Sequence, residues 1–280
     1  MTSDLSYLPE GFAAALRDAA GAPVALATVT AVTGSSPVPV GEPLLVTADG
    51  RVLGSVSNGC IDADVYHVAL LVLREGRPVT RCYGPGDDPF AAAVTCGGTL
   101  EVTVERVETA DPAAAVERVV ARTGGPVGER LFLVGGTTVA ARLSRIAGTL
   151  GMRPVVIDPR PVFATAERFP GAHAVVCGWP AQALRRAAAG ASDAVVVLAH
   201  DDRYDVDVIR IAIESGVGYI GALGSASTAA RRRAALHRAG VAAADVAAVR
   251  SPVGVPVGAV GPAEIAVSVA ADLVAYRRRS

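Results

Sequence analysis

Arg130-Leu131-Phe132-Leu133-Val134, followed at once by Gly135-Gly136-Thr137-Thr138-Val139-Ala140, is the stretch on which the fold turns. The first five residues are of strand length and apolar after the arginine, and the glycine pair stops the run. A helical segment follows through Leu150, Gly151 ends it, and Pro154 to Ile157 makes a second apolar run finishing at Asp158. Strand, glycine turn, helix and strand in that order make one unit of a parallel sheet. The grammar then repeats. Ala172 to Cys177, Asp193 to Leu198 and Gly218 to Ile220 are later strand-length runs separated by helix-length segments. Residues 130–280 are therefore expected to form a doubly wound parallel sheet with helices on both faces.

In such sheets ligands gather where the strands end, so the residues just after each run are the candidates. Gly135, Gly136 and Thr137 follow the first strand. They keep the first glycine of the G-x-G-x-x-G/A dinucleotide pattern and, with Ala140, its closing small residue, but Thr137 stands where the second glycine would admit a pyrophosphate. Asp158 lies 23 residues after Gly135, close to where these folds place a ribose-binding carboxylate, and Arg160 follows it. Equally, the glycine pair could be only the tight turn that the fold needs. Ala199-His200-Asp201-Asp202 ends another apolar run, and His200 there could serve as acid, base, ligand or hydrogen-bonded wall residue. Gly221-Ala222-Leu223-Gly224-Ser225 ends a further strand and opens a helix, a geometry suited to anions. Asp158, Arg160, His200 and Gly221 are expected to cluster at this carboxyl edge, facing the first domain. The arginine run at 231–233 reads as a solvated face, and His67, His173 and His237 as structural or surface residues.

The first half has a different plan. Leu8 to Ala20 reads as a helix, Val24 to Val32 as a strand, and Thr33 to Gly41 as a shaped loop rich in glycine and proline. Leu44 to Thr47 and Val52 to Val56 flank an Ala48-Asp49-Gly50 hairpin turn. Asn58 to Leu73 is expected as a helix capped by Ser57 or Asn58, with Arg81 to Tyr83 and Thr99 to Val107 as further strands. A mixed α/β domain over 1–109, then a helix and glycine-rich linker over 110–129, accounts for all of this.

Two of the four cysteines have unusual company. Cys60 follows Gly59, and Cys96 precedes Gly97-Gly98. Glycine beside a thiol removes the Cβ atoms that would keep a bulky ligand away, and it lets successive amides converge on an anion. At the start of a helix, Cys60 would also have a depressed thiol pKa. Cys60 and Cys96 are thus candidates for nucleophile or metal ligand in one shared pocket, with Gly59, Gly97 and Gly98 lending amides. Both could equally be small buried apolar residues, as cysteines outside disulfides usually are. Cys82 and Cys177 lack such neighbours and are expected to be inert core residues.

Composition sets outer bounds. A chain of 280 residues that is 51% hydrophobic can build two cores, and with 4% aromatics it must build them from aliphatic residues. All 26 basic residues are arginine, and the net charge of −1 argues against bulk nucleic-acid or membrane-surface binding. No apolar run nears the ~20 residues of a membrane span. Met1 to Glu10 lacks the plan of a signal peptide, and the cysteines show no secretory framework, so a cytoplasmic home is expected.

The motifs together resemble the XdhC/CoxI family, accessory proteins that mature molybdenum hydroxylases such as xanthine dehydrogenase. In the first half they are Thr33-Gly34-Ser35-Ser36-Pro37, Gly54-Ser55-Val56-Ser57-Asn58-Gly59-Cys60 and Thr95-Cys96-Gly97-Gly98. In the second they include Asp158-Pro159-Arg160, His200-Asp201, Gly221-Ala222-Leu223-Gly224-Ser225, Ser251-Pro252-Val253-Gly254 and Gly261-Pro262-Ala263-Glu264. The resemblance implies an XdhC/CoxI-type first domain, a Rossmann-like second domain and binding of molybdenum cofactor (molybdopterin). It further implies delivery to an apo molybdenum hydroxylase, a cysteine desulfurase as a further partner, and a homodimer. Cys60 and Cys96 would handle the cofactor. Gly135, Gly136, Thr137, Asp158, Arg160, Asp201, Gly221, Gly224 and Ser225 would line the second site. Several positions depart from the family pattern. Asn58 and Asp62 replace a glycine and a glutamate, the usual GAGHVA turn is GGTTVA, and Ala199 and Ala226 replace a threonine and an arginine. A cofactor chaperone is one functional class these features support. An NAD(P)-dependent oxidoreductase using His200 or a cysteine is the alternative, and a structural scaffold is a third.

Overall fold

In the computed structural model, residues 11–19, 21–84, 97–123, 129–199 and 204–278 are described. The chain divides into two units, Met1–Val127 and Gly128–Ser280.

The first unit is built on five antiparallel strands. These are β1 (Val24–Thr33), β2 (Pro43–Val46), β3 (Val52–Gly54), β4 (Val79–Tyr83) and β5 (Thr99–Val107), in spatial order β3-β2-β1-β5-β4. The period of two along β1 separates two cores. Ala25, Ala27 and Val29 face one that is covered by α2 (Asp62–Glu75) through Val65, Val68 and Val72. Val24 and Leu26 face the other, which is closed by α1 (Phe12–Asp18) and α3 (Pro112–Arg122) through Phe12, Leu16, Val116 and Val119. The helix after β5 is therefore part of this unit's core. Asp111 caps α3, its carboxylate accepting from the N–H groups of Ala113 and Ala114.

The second unit is an all-parallel sheet of β6 (Arg130–Val134), β7 (Arg153–Asp158), β8 (Ala174–Cys177), β9 (Ala194–Val197) and β10 (Tyr219–Ala222). Its order, β10-β9-β6-β7-β8, places the topological switch between β6 and β9. The expected doubly wound sheet is present. α4 (Thr138–Thr149) and α9 (Pro262–Arg277) bury Leu131, Leu133 and Val196 on one face. α5 (Pro180–Arg186) and α6 (Asp205–Glu214) bury Phe132, Val134 and Val195 on the other, joined at its margin by α7 (Ala226–Arg238) and α8 (Ala243–Ala248). Among the described residues no helix is long and apolar enough to cross a membrane.

Three expectations need correction. Arg232 does not belong to a solvated face. It is buried, donates to Asp205 Oδ2 at 3.0 Å and to Leu223 O at 3.2 Å, and reaches Ser251 Oγ at 3.0 Å. Cys82 and Cys177 are exposed, not core residues, because β4 and β8 are the edge strands of their sheets. The helix expected from Asn58 begins at Asp62 instead. Asn58 and Gly59 have φ values of 55° and 104°, which a right-handed helix cannot accommodate.

Candidate functional site

The loop from Gly54 to Ile61 is shaped by left-handed backbone and by one carboxylate. At Gly54 (φ 74°) a Cβ atom would lie 2.4 Å from Pro43 O, so only glycine lets the chain leave β3 here. Asp62, the first residue of α2, then gathers the loop. Its Oδ1 accepts from Val56 N–H at 3.1 Å and Ser57 Oγ at 2.8 Å, and its Oδ2 from Gly59 N–H at 3.0 Å and from Ser55 Oγ. Asn58 N–H donates to Ser55 Oγ at 2.8 Å and Ile61 N–H to Ser57 Oγ at 2.9 Å, so both serines are locked as well. The anion at the centre of this amide concavity is the protein's own carboxylate. Cys60 follows the clamped Gly59, half-buried, two residues ahead of α2. It packs against the core that holds Val38, Val56 and Ile61. What this loop offers a ligand is therefore a thiol on a rigid mount.

Two more motif loops meet the same end of the sheet. Thr33, the last residue of β1, pairs with Thr99, the first of β5. A Cβ at Gly98 would lie 2.1 Å from Ser35 O and 2.8 Å from Thr33 O, so the backbone of 97–98 rests directly on the Thr33-Gly34-Ser35 turn. Because β3 runs parallel to β1, its exit towards Cys60 lies at that end too. Val38, from the loop after Thr33, shares a core with Cys60. Cys96 lies outside the described residues, as do His200 and Asp201. Among the described residues no group of three or more His, Cys, Asp or Glu is placed to hold a metal. Nearby, Tyr83 donates to Asp64 Oδ2 at 2.6 Å; burial, with that hydrogen bond, pushes the phenol well above its ordinary pKa.

The second unit's glycine turn is closed by its own chain. Gly135 (φ 111°) brings β6 against β9, where a Cβ would lie 2.7 Å from Ala199 Cβ. At Gly136 a Cβ would meet Phe163 O at 2.6 Å and Asp158 Oδ2 at 3.1 Å. Asp158 is fully buried, and its Oδ2 accepts Gly136 N–H at 2.6 Å. Its Oδ1 takes Arg160 N–H and Nε at 2.9 Å each, while Arg160 Nη2 reaches Oδ2 at 2.8 Å. Burial alone would raise the Asp158 pKa; the Arg160 and Gly136 hydrogen bonds outweigh it and hold the carboxyl below its usual range. Both oxygens are thus spoken for, and a dinucleotide ribose finds no acceptor there. Thr137 is the N-cap of α4, its Oγ1 accepting from Ala140 N–H at 3.2 Å. The residues present do not fit an NAD(P) cradle.

Further along the edge, Gly221 is covered by the segment around Val253, whose Cγ2 lies 2.5 Å from a Cβ built there. Arg250 and Val253 hydrogen-bond to β10 as if they were another strand. Ser225 caps α7, accepting from Thr228 N–H at 3.2 Å, while Gly224 (φ 152°) packs on the Thr228 side chain. Asp158, Arg160, Gly221 and Gly224 do lie at the carboxyl ends of parallel strands, but the Asp158 and Arg160 side chains are paired with each other, and Gly221 and Gly224 are packed against Val253 and Thr228. Asp62, Phe163 and Arg168 do not stand out in the sequence as site residues. For the first, the signals are a carboxylate following two serines and a glycine and its place where the family pattern carries a glutamate.

An antiparallel unit bearing a clamped thiol, followed by a Rossmann unit whose glycine turn is self-filled, is the class that fold and sites define. The chain belongs to the XdhC and CoxI family. A family model described as the XdhC Rossmann domain matches residues 131–273, and one described as the XdhC and CoxI family matches residues 18–84. It is 30% identical to the molybdenum cofactor insertion chaperone PaoD of Escherichia coli, over 90% of this chain and 83% of that protein. It is 25% identical to a probable xanthine dehydrogenase subunit of Bacillus subtilis, covering 91% of this chain and 93% of the relative. A crystal structure of a xanthine dehydrogenase from Bacillus halodurans shares the fold with a TM-score of 0.75. It is 24% identical and aligns over 95% of this chain and 96% of that one.

Proposed function

We propose that this protein is a maturation factor for a molybdenum hydroxylase of the xanthine dehydrogenase type, receiving molybdenum cofactor and passing it on. The observation that carries the reading is the mount of Cys60, a partly exposed thiol outside any disulfide, on a loop fixed by four donors to Asp62. A soft thiolate suits a thiophilic metal, and a rigid mount spares the ordering cost of binding. Cys96, which precedes the Gly97-Gly98 turn, is the second proposed ligand. The cofactor is cargo here: the chain binds it, shields it and releases it to an apo-hydroxylase. The names of PaoD and of the Bacillus subtilis relative support this role. A cysteine desulfurase as sulfur donor and a homodimer are part of the same proposal. The oxidoreductase alternative has no observation in its favour, because the carboxylate it needs is consumed by Arg160 and Gly136.

The test is reconstitution. Apo-hydroxylase mixed with cofactor-loaded protein should gain activity, and the Cys60→Ala protein should give at most about a tenth of that gain. Full transfer by Cys60→Ala, or turnover of NAD(P)H with a small substrate, would overturn the reading.

A further inference from the structure

The outer flank of α4 carries a second site. Thr137, Thr138, Ala141, Arg142, Arg145 and Arg168 line an open surface cavity of about 270 Å³, whose described lining has three exposed arginines and no carboxylate. Two elements supply the charge. Arg142 and Arg145 are three residues apart on α4, a spacing at which like charges repel. Neither has a hydrogen bond or ion pair among the described residues. Arg168 comes from the segment after β7 and is held on the spot. Its Nη2 donates to Gly136 O at 3.1 Å, and its guanidinium stacks over Phe163 at 5.0 Å and Phe169 at 5.9 Å. The segment itself is seated on the helix, for a Cβ at Gly171 would lie 2.9 Å from Arg145 Cα. Because Thr137 Oγ1 accepts the Ala140 N–H, its hydroxyl proton remains available to a further acceptor.

Three exposed guanidinium groups around one cavity, with no carboxylate among its described lining residues, repel one another to the extent that water and salt leave unscreened, and an entering anion relieves that repulsion. A phosphoryl group, with three terminal oxygens and up to two charges, satisfies several forks at once where a single carboxylate satisfies one. The glycine turn is filled by Phe163 and Asp158, so an anion reaches these arginines from the flank and not through a dinucleotide cradle. That geometry favours a terminal phosphate over a bridging pyrophosphate. The cavity is also larger than a bare phosphate needs. We infer that it binds the terminal phosphate of a small organic phosphate monoester. The site lies wholly in the second unit and involves no cysteine, so it stands independently of the role proposed for Cys60.

Thermal unfolding and calorimetric titration of the full chain test this at constant ionic strength, with phenyl phosphate and inorganic phosphate as probes and chloride as reference. Wild type should show saturable stabilisation by both phosphates, with the monoester binding at least about threefold more tightly. The double variant Arg142→Gln/Arg145→Gln should lose at least about tenfold in affinity for both while unfolding, without anion, at or above the wild-type temperature. Arg238→Gln, on the arginine-rich α7, should bind as wild type does. Inorganic phosphate binding more tightly than the ester would overturn the ester assignment. The absence of saturable binding, or equal binding by the double variant, would overturn the site altogether.

Discussion

At the scale of single residues, the glycine beside Cys60 is legible as a sign of a thiol set among convergent amides, but the anion that fills those amides is not. Glycine neighbours announce convergent amides; they do not say that Asp62, three residues beyond Gly59, will occupy them. Replacing Asp62 by alanine leaves two amides and two hydroxyls without their acceptor, and should destabilise the first unit by about 2 kcal/mol in urea unfolding. An unchanged midpoint would show that the loop holds itself without the carboxylate. The exposure of Cys82 and Cys177 escapes a sequence reading for a related reason. Local neighbours do not reveal which strand lies at an edge, and edge position is what exposes both thiols. With a maleimide probe followed by mass spectrometry, both should label before the half-buried Cys60 does. Labelling of Cys60 first would contradict that order of burial.

At the scale of elements, most strands are readable because they are short aliphatic or alternating runs bounded by glycine, proline or aspartate, whereas their order in each sheet is not. The start of α2 is not, since it depends on Asn58 adopting a left-handed conformation that a side chain normally avoids. The arginine run on α7 shows the same limit. Sequence alone cannot tell that Arg232, unlike Arg231 and Arg233, turns inward to meet Asp205 at the head of α6. The pair is buried on both sides, so Arg232→Ala strands a carboxylate and should cost about 3–5 kcal/mol in chemical denaturation. A loss under about 1 kcal/mol would mean that Asp205 finds other partners. Thr137→Ala should cost about 1 kcal/mol through loss of the α4 cap, without creating affinity for NAD or NADP.

At the scale of the whole molecule, the division into an antiparallel unit and a parallel one is legible from the change in grammar near residue 125. The wealth of internal ion pairs in the second unit is not. Asp158, Asp193 and Asp272 are all buried, and each is held below the ordinary carboxylate pKa although burial opposes this, by Arg160, Arg130 and Arg250 respectively. Depressed folded-state values mean that their stabilisation is complete above the unfolded value of about 3.9 and is lost as pH falls through the lower folded values. Stability of the second unit, followed by circular dichroism, should therefore be flat from neutrality to about pH 5 and fall steeply below about pH 4. A fall beginning near pH 6 would point instead to histidines.

The central claim is that Cys60 holds molybdenum cofactor. Its most direct measurement is the molybdenum and pterin content of the protein isolated anaerobically from cells that make the cofactor, with metal read by plasma mass spectrometry and pterin by fluorescence after oxidation. Wild type should carry both in equal molar amounts, Cys60→Ala should carry neither, and Cys82→Ala should match wild type. Equal content in wild type and Cys60→Ala, or bound NAD(P) with no pterin, would contradict the account.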